Sequence, residues 1–580
     1  MTWKIFKRNK FKKRSSLVEP DEIFLDSHNL ANFDRQQFEG RIERPIRKST
    51  LYSIGGFFLI CTLIFSGRLG YLQVVKGASY LERSENNTLQ GITIFADRGI
   101  IYDRNKTELA WNNKTDTHTF MLESFPEEKS LDFGVRSYES PGFSHILGYV
   151  KYPTKDSSGN YWQSEFEGLD GLEKEYDSFI KGKNGSKITE TSALGEVQSE
   201  NVVNAPLRGG DLVTTLDSRI QSELFRLIQK TAEEYSFSGG AGIILDVRNG
   251  EVLTSTSFPE YSSEILSQGK DRTTIQSYMN DKRKVFLDRT ISGLYTPGSI
   301  VKPIIAIGAL AENIIDPLKK ILSTGSISIP NPYFPDQPTI FKDWRVNGWT
   351  DMREAIAVSS DVYFYEVGGG YEGQKGLGIL NIEKYAKLFG IGEKTGVDLP
   401  DETQGVIPNP EWKLKTFNGD PWRVGNTYHT SIGQYGFQVT PMEITRAIAA
   451  IANSGTLVTP HFVLEDKESA GQVRKIELQK SYFDIVKEGM RQAVTYGTAV
   501  SLNVPYVEVG AKTGTAQLGV AKNRVNSWVV GFFPYENPKY AFTVMMESGP
   551  STGTVNASYV MRQLLDWMSI NTPEYFETTP

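Results

Sequence analysis

Hydrophobic positions divide the chain into stretches of different texture. Residues 1–48 are polar and charged, with Lys4, Lys7, Arg8, Lys10, Lys12, Lys13 and Arg14 at one end and Arg41, Arg44, Arg47 and Lys48 at the other. An uncharged, mostly apolar run follows from Leu51 to Phe65, and Leu69, Tyr71, Leu72, Val74 and Val75 extend it. Its uncharged part falls somewhat short of the ~20 residues that span a bilayer, so a buried core helix is one reading. The basic flank, Tyr71 at an interface position and Arg68 placed to snorkel favour the other, a membrane anchor over residues 49–74. The run begins too far from Met1, and lacks a small-residue cleavage site, for a cleavable signal. Positive flanking charge places residues 1–48 in the cytoplasm and the rest outside it.

Between 75 and 235 the apolar runs are short and turns are frequent. Ile92–Phe95 and Gly99–Tyr102 read as strands, with a turn at 103–105. Gly168–Tyr176 opens a helix that ends before Gly182, Lys183–Ser186 reads as a turn, and Ser186–Glu200 as an irregular hairpin. Leu212–Leu216 is strand-like, and Asp217 suits the N-cap of a helix with Ile220, Leu224, Leu227 and Ile228 on one face. No concentrated chemistry appears here, which predicts a spacer or a partner surface. From Ser238 the texture changes. Ala241–Asp246 and Glu251–Thr256 form a hairpin around Arg248-Asn249-Gly250. Helical stretches follow, then strands at Tyr506–Gln517, Ser527–Phe533 and Tyr540–Glu547 and a helix at Ala557–Ile570. Strands at both ends with helices between predict an α+β domain over 236–575 whose sheet joins its two ends.

Composition narrows the chemistry. The 580 residues carry 63 basic and 69 acidic side chains, a net −6, which argues against nucleic-acid binding. Cys61 is the single cysteine, so the chain can form neither an internal disulfide nor a cysteine-based zinc site. Five histidines, at 28, 118, 145, 429 and 461, form no metal-ligand spacing and leave few candidates for a Ser-His-Asp triad.

Serine chemistry remains. In Thr296-Pro-Gly-Ser299-Ile-Val-Lys302-Pro303, a serine and a lysine lie one helical turn apart, and Pro303 fits only in a first turn. Ser299 is therefore at a helix N-terminus, where orphan N–H groups favour developing negative charge. The spacing alone is weak, because Ser178–Lys181 and Ser267–Lys270 share it. Ser359 and Asp361 place a hydroxyl and a carboxylate two residues apart inside an apolar helical run beginning near Met352, where they also suit a helix-capping pair. Lys512-Thr513-Gly514-Thr515 sits in a strand whose small residues admit a ligand backbone and whose lysine and threonines suit a carboxylate. Lys394-Thr395-Gly396 repeats the triplet in loop composition and reads as a turn. Ser501-Leu-Asn503 imitates the second element too close to Lys512 to form a separate wall.

Taken in order, Ser299-x-x-Lys302, Ser359-x-Asp361 and Lys512-Thr513-Gly514 resemble the penicillin-recognising serine transferases. The stretches at 98–105, 168–173, 205–211 and 433–441 are similar to those of class B penicillin-binding proteins, and Asp361 looks most like the elongation-type branch. Asn526-Ser527-Trp528 departs from the His-Ala-Trp of many relatives. Some relatives carry a metal cluster before the second motif, whereas no His or Cys lies between Lys302 and Asp361. The resemblance implies an antiparallel sheet flanked by helices, preceded by a mostly β pedestal and one transmembrane helix. It implies a peptidoglycan D,D-transpeptidase without cofactor or metal, acting on stem peptides and inhibited by β-lactams. Ser299 would be the nucleophile, and Lys302 its base, with proton affinity lowered by burial and by Lys512. Ser359 would relay a proton and Asp361 orient the network. The backbone N–H groups of Ser299 and Thr515 would form the oxyanion hole, and Thr513 and Thr515, around Gly514, would bind the terminal carboxylate. Expected partners are a membrane-embedded SEDS-type glycan polymerase and elongation-complex proteins, at the bacterial cytoplasmic membrane with the catalytic domain outside. A D,D-carboxypeptidase or β-lactamase-like hydrolase, and a non-catalytic sensor or scaffold, stay open.

Overall fold

The computed structural model of the chain describes residues 47–577 except 82–88, 114–133, 140, 158–160, 192–196, 332–333, 335, 465–472 and 520. All but two of the residues expected to form the cytoplasmic tail therefore lie outside the described residues. Two compact units are present, 1–88 and 89–580. In the first, helix α1 (Lys48–Gly70) continues through a wider turn at Tyr71–Val75. An 18-residue window of this 28-residue span has mean hydropathy 1.7 and no buried part, so the span is long and apolar enough to cross a membrane and is not a core helix.

The second unit begins with β1 (Leu89–Ile94), β2 (Ile101–Tyr102), β3 (Glu108–Asn113) and β4 (Val135–Tyr138), followed by α2 (Gly171–Glu175). The expected hairpin at 186–200 is β5 (Gly185–Thr191) and β6 (Val197–Asn204), which join β1 in the order β1-β5-β6. The expected turn at Lys183–Ser186 is instead a bridge from Lys183 to Leu207 and the start of β5, because the neighbouring chain at Leu207 takes up its backbone groups. The short strand β7 (Leu212–Val213) pairs parallel to β2 in a second sheet, β7-β2-β3-β4. Three of the singled-out stretches converge here. Gly99 N–H donates to Ile180 O, Ile100 N–H donates to Asp211, and Arg98 meets Glu173 on α2. This region is thus built around a buried charge cluster that its composition did not announce.

Asp217 caps α3 (Ser218–Tyr235) by accepting Arg219 N–H, as its position predicts. The apolar face of α3, with Ile220, Leu224, Leu227 and Ile228 buried, packs on β8 (Gly239–Asp246) and β9 (Val252–Phe258). Burying each such side chain contributes about 1.5–3 kcal/mol. The chain's last strands, β10 (Gly510–Leu518), β11 (Arg524–Phe533) and β12 (Tyr540–Pro550), return to the same sheet. Its order is β9-β8-β12-β11-β10, all antiparallel, so the sheet does join the two ends of the 236–575 region. The first of these strands starts at Gly510 rather than Tyr506. A buried core runs without interruption from Ile101, Leu109 and Leu212 to Ile243, Ile304 and Trp528, so no core boundary falls near residue 235.

Candidate active site

Four elements meet at the free edge of the five-stranded sheet. Ser299 lies in a short 3₁₀ turn, Gly298–Val301, that leads into α4 (Lys302–Ala311), with Pro303 in its first turn as the missing N–H requires. Gly298 adopts φ 59°, a conformation that favours glycine, and its N–H donates to Gly433 O at 2.9 Å. A Cβ on Gly514 would stand 2.8 Å from Ile300 Cγ2 and 2.9 Å from Pro297 O, so β10 reaches the serine turn because position 514 has no side chain. A Cβ on Gly298 would stand 2.9 Å from Thr515 O, so the backbone of Gly298, just before Ser299, runs beside that of Thr515.

The second element differs from its expectation. One helical run from Met352 through Asp361 was predicted, but the chain forms α5 (Met352–Ala357) and α6 (Asp361–Gly369) with a break between them. Ser359 sits in that break at φ 58°, a left-handed conformation costing about 1–3 kcal/mol in a residue with a Cβ. Competing hydrogen bonds explain the break. Ser360 N–H turns back to Ala355 O at 3.0 Å, the Ser360 hydroxyl caps α6 by accepting Tyr363 N–H at 3.3 Å, and the Asp343 carboxylate accepts the N–H groups of Asp361 and Val362, each at 3.1 Å. The capping residue is therefore Ser360, which leaves Ser359 free for other partners.

Those partners are two buried lysine nitrogens. Lys512 Nζ stands 2.8 Å from Ser359 Oγ and 2.9 Å from Thr513 O. Lys302 Nζ stands 3.3 Å from the same Oγ, 2.9 Å from Ser359 O and 2.6 Å from Asp361 Oδ1. Both lysine side chains are fully buried, whereas Asp361 is partly exposed. Proton affinity is lowered at Lys512. Burial first, and the neighbouring Lys302 cation second, push its ammonium well below the ordinary lysine range, against a smaller pull from Asp361. Lys302 is held in an ion pair with Asp361.

A cleft of about 470 Å³ opens on this cluster, lined by Ser299, Ser359, Asp361, Thr513, Gly514 and Thr515. Thr515 is exposed and Thr513 half-buried on one face of β10, while Lys512 and Gly514 point the other way. All the predicted site residues thus come together. The look-alikes stay apart: the Thr395 N–H and hydroxyl are both bonded to Glu402, and the Ser267 hydroxyl accepts Val150 N–H. Three contributors escaped the sequence reading. Thr498, whose hydroxyl bonds that of Thr513 at 2.7 Å, and Trp344 both line the cleft. Asp343 stands behind it. None carries a spacing signal, because Asp343 and Trp344 arrive from one loop and Thr498 from another through the tertiary fold.

Comparison with known proteins agrees with this geometry. Residues 240–566 match the family model for the penicillin binding protein transpeptidase domain, and residues 130–214 that for the penicillin-binding protein dimerisation domain. Among curated proteins, the peptidoglycan D,D-transpeptidase MrdA of Acinetobacter baumannii is 27% identical, over 90% of this chain and 88% of its own length. The protein of the same name from Escherichia coli K12 is 26% identical, over 90% and 94%. Among solved structures, PBP2 of Helicobacter pylori in complex with MreC aligns with TM-score 0.68 and 28% identity, over 83% of this chain and 98% of that one. PBP2 of Pseudomonas aeruginosa in complex with WCK 5153 aligns with TM-score 0.64 and 27% identity, over 83% and 97%.

Proposed function

Because the chain belongs to the penicillin-binding protein transpeptidase family, in its class B, PBP2-like branch, we propose a reaction path for its peptidoglycan D,D-transpeptidase activity that runs through the two-lysine cluster. The observation that carries it is Ser359 Oγ placed 2.8 and 3.3 Å from two buried lysine nitrogens. With Lys512 neutral, the Ser359 hydroxyl donates to Lys512 Nζ and accepts from the Lys302 ammonium. Shifting both protons along this chain leaves Lys512 charged and Lys302 as a free amine, one turn from Ser299. Lys302 then takes the Ser299 proton as Oγ adds to the penultimate D-Ala carbonyl of a stem peptide. The oxyanion is held by the backbone N–H groups of Ser299 and Thr515. Collapse breaks the peptide bond, the leaving amine takes a proton through Ser359, and free D-Ala departs. An amine of a neighbouring stem then attacks the ester, restores the Ser299 hydroxyl and completes the cross-link. Thr513 and Thr515 hold the terminal carboxylate at the free edge of β10, where the donor peptide lies as an added strand.

The apolar span at 48–75 serves as a single-pass anchor, with residues 1–48 in the cytoplasm and the catalytic region outside, and residues 75–235 act as a pedestal below the transpeptidase region at 236–575. A membrane-embedded glycan polymerase and elongation-complex proteins are the partners this arrangement suits. Incubation with penicillin and mass mapping tests the path: a stable adduct on the peptide containing Ser299, absent in Ser299→Ala, supports it. Rapid release of opened penicillin would favour the hydrolase reading, and equal labelling of Ser299→Ala would defeat any role for that serine.

A further inference from the structure

We propose that Asp343 is a positioning residue for acylation, gripping the left-handed Ser359 from behind the cleft together with the indole of Trp344. This rests on the reaction path above. Asp343 Oδ1 accepts the N–H groups of Trp344 at 2.8 Å and Asp361 at 3.1 Å. Asp343 Oδ2 accepts the Ser360 hydroxyl at 2.9 Å, Val362 N–H at 3.1 Å, the Ser323 hydroxyl at 2.9 Å and the Asn347 amide at 3.1 Å. One carboxylate thus ties together three separate pieces of chain, 323, 343–347 and 360–362. Burial pushes the carboxyl up, and the N–H groups of Asp361 and Val362 with the two serine hydroxyls outweigh it, so the group stays ionised below its ordinary range.

The grip has two sides. Trp344 Nε1 donates to Val358 O at 3.2 Å, immediately before Ser359, while Asp343 holds the N–H groups of Asp361 and Val362 just after it. A left-handed serine persists only where its surroundings over-determine it, and residues 343–344 supply that restraint. Through Asp361, which holds Lys302 at 2.6 Å, the same restraint sets the spacing of both lysines about Ser359 Oγ. Capping α6 does not by itself require Asp343, because Ser360 already accepts Tyr363 N–H. Asp343 touches no reacting atom in this path. It acts through Ser359 and Asp361.

Saturation kinetics of fluorescent-penicillin acylation on the full-length protein in detergent test this, with each rate divided by the folded fraction. Asp343→Asn keeps the shape but turns an amide N–H₂ toward the donors of Oδ1 or Oδ2. Its limiting acylation rate falls about 10²-fold, the cost of misplacing reacting groups by about 1 Å, while the half-saturating concentration moves much less. Trp344→Phe keeps the ring, loses the bond to Val358 O, and lowers the limiting rate about tenfold, the equivalent of one such hydrogen bond. Asp343→Asn with an unchanged limiting rate per folded molecule would overturn the proposal, as would a Trp344→Phe effect confined to half-saturation. If Asp343→Asn does not fold, Trp344→Phe decides alone. Failure here is distinguishable from failure of the reaction path, which Ser299→Ala tests separately.

Discussion

Two buried clusters in residues 89–580 have similar composition and opposite construction. In the pedestal, Arg98 and Arg136, each 1% exposed, flank the fully buried Glu173 at 2.5 and 2.7 Å, and Arg98 also meets Asp177 at 2.8 Å. Burial pushes the Glu173 carboxyl up, but the Arg136 and Arg98 guanidiniums win and hold it below its ordinary 4.5. Burial likewise works against the Arg98 charge, and Glu173 and Asp177 outweigh it. In the cleft, two buried lysines have one partly exposed carboxylate between them, which pairs with Lys302, and Lys512 is left with a hydroxyl and a carbonyl as partners. Guanidiniums do not give up their protons in proteins, whereas a buried lysine readily does. The pedestal cluster is therefore a fixed joint, and the cleft cluster holds a transferable proton.

The largest way to break this contrast is to make the cleft resemble the pedestal. Lys512→Arg fixes a positive charge there and removes the site that accepts the relayed proton, so acylation by fluorescent penicillin should fall about 10²–10⁴-fold, the usual range for lost general acid–base catalysis. A decrease of similar size with no shift in substrate half-saturation locates the loss in chemistry rather than binding. Next comes the converse in the pedestal. Glu173→Ala strands two buried guanidiniums and should cost about 3–5 kcal/mol in denaturant unfolding, with acylation per folded molecule unchanged.

The two clusters also differ in the pH window over which they act, although stability rises with pH in both. The folded pKa of Glu173 is depressed, so its contribution is full above the ordinary 4.5 and is lost as pH falls below it toward the folded value. The folded pKa of Lys512 is also depressed, so between that value and its ordinary 10.5 the unfolded chain binds more protons, and stability rises with pH. Unfolding series across pH in Glu173→Gln and Lys512→Met should each flatten one of these slopes and spare the other. The smallest effect is the control. Lys187 and Glu200 pair at 3.2 Å on the pedestal hairpin with side chains 25% and 47% exposed, and Lys187→Ala should change stability by about 0.5 kcal/mol or less.

The contrast was only half legible in the sequence. Ser299, Lys302 and Pro303 announced a helix N-terminus because proline restricts its position locally, and β10 announced itself through its small residues and apolar neighbours. The central sheet was legible from the hairpin at 241–256 and the terminal strands. Arg98, Arg136 and Glu173 are far apart in the chain, and their meeting depends on how short strands and α2 pack, which no local pattern encodes. The break at Ser359 was missed for a related reason. The apolar periodicity on either side favours one helix, and it is the Asp343 carboxylate, arriving from another loop, that makes the interruption favourable. The expectation for Lys302 likewise weighed burial and the Lys512 cation, and no local pattern told that the fold pairs Lys302 with the Asp361 carboxylate and leaves Lys512 a hydroxyl and a carbonyl.

The most direct test of the account is the proton state of Lys512 itself. An NMR titration of the lysine side-chain nitrogens, with the Lys512 signal identified by its loss in Lys512→Arg, should show that nitrogen losing its charge well below the ordinary 10.5. A Lys512 ammonium that stays charged up to 10.5, as an exposed lysine does, would contradict the claim that the cleft holds a transferable proton.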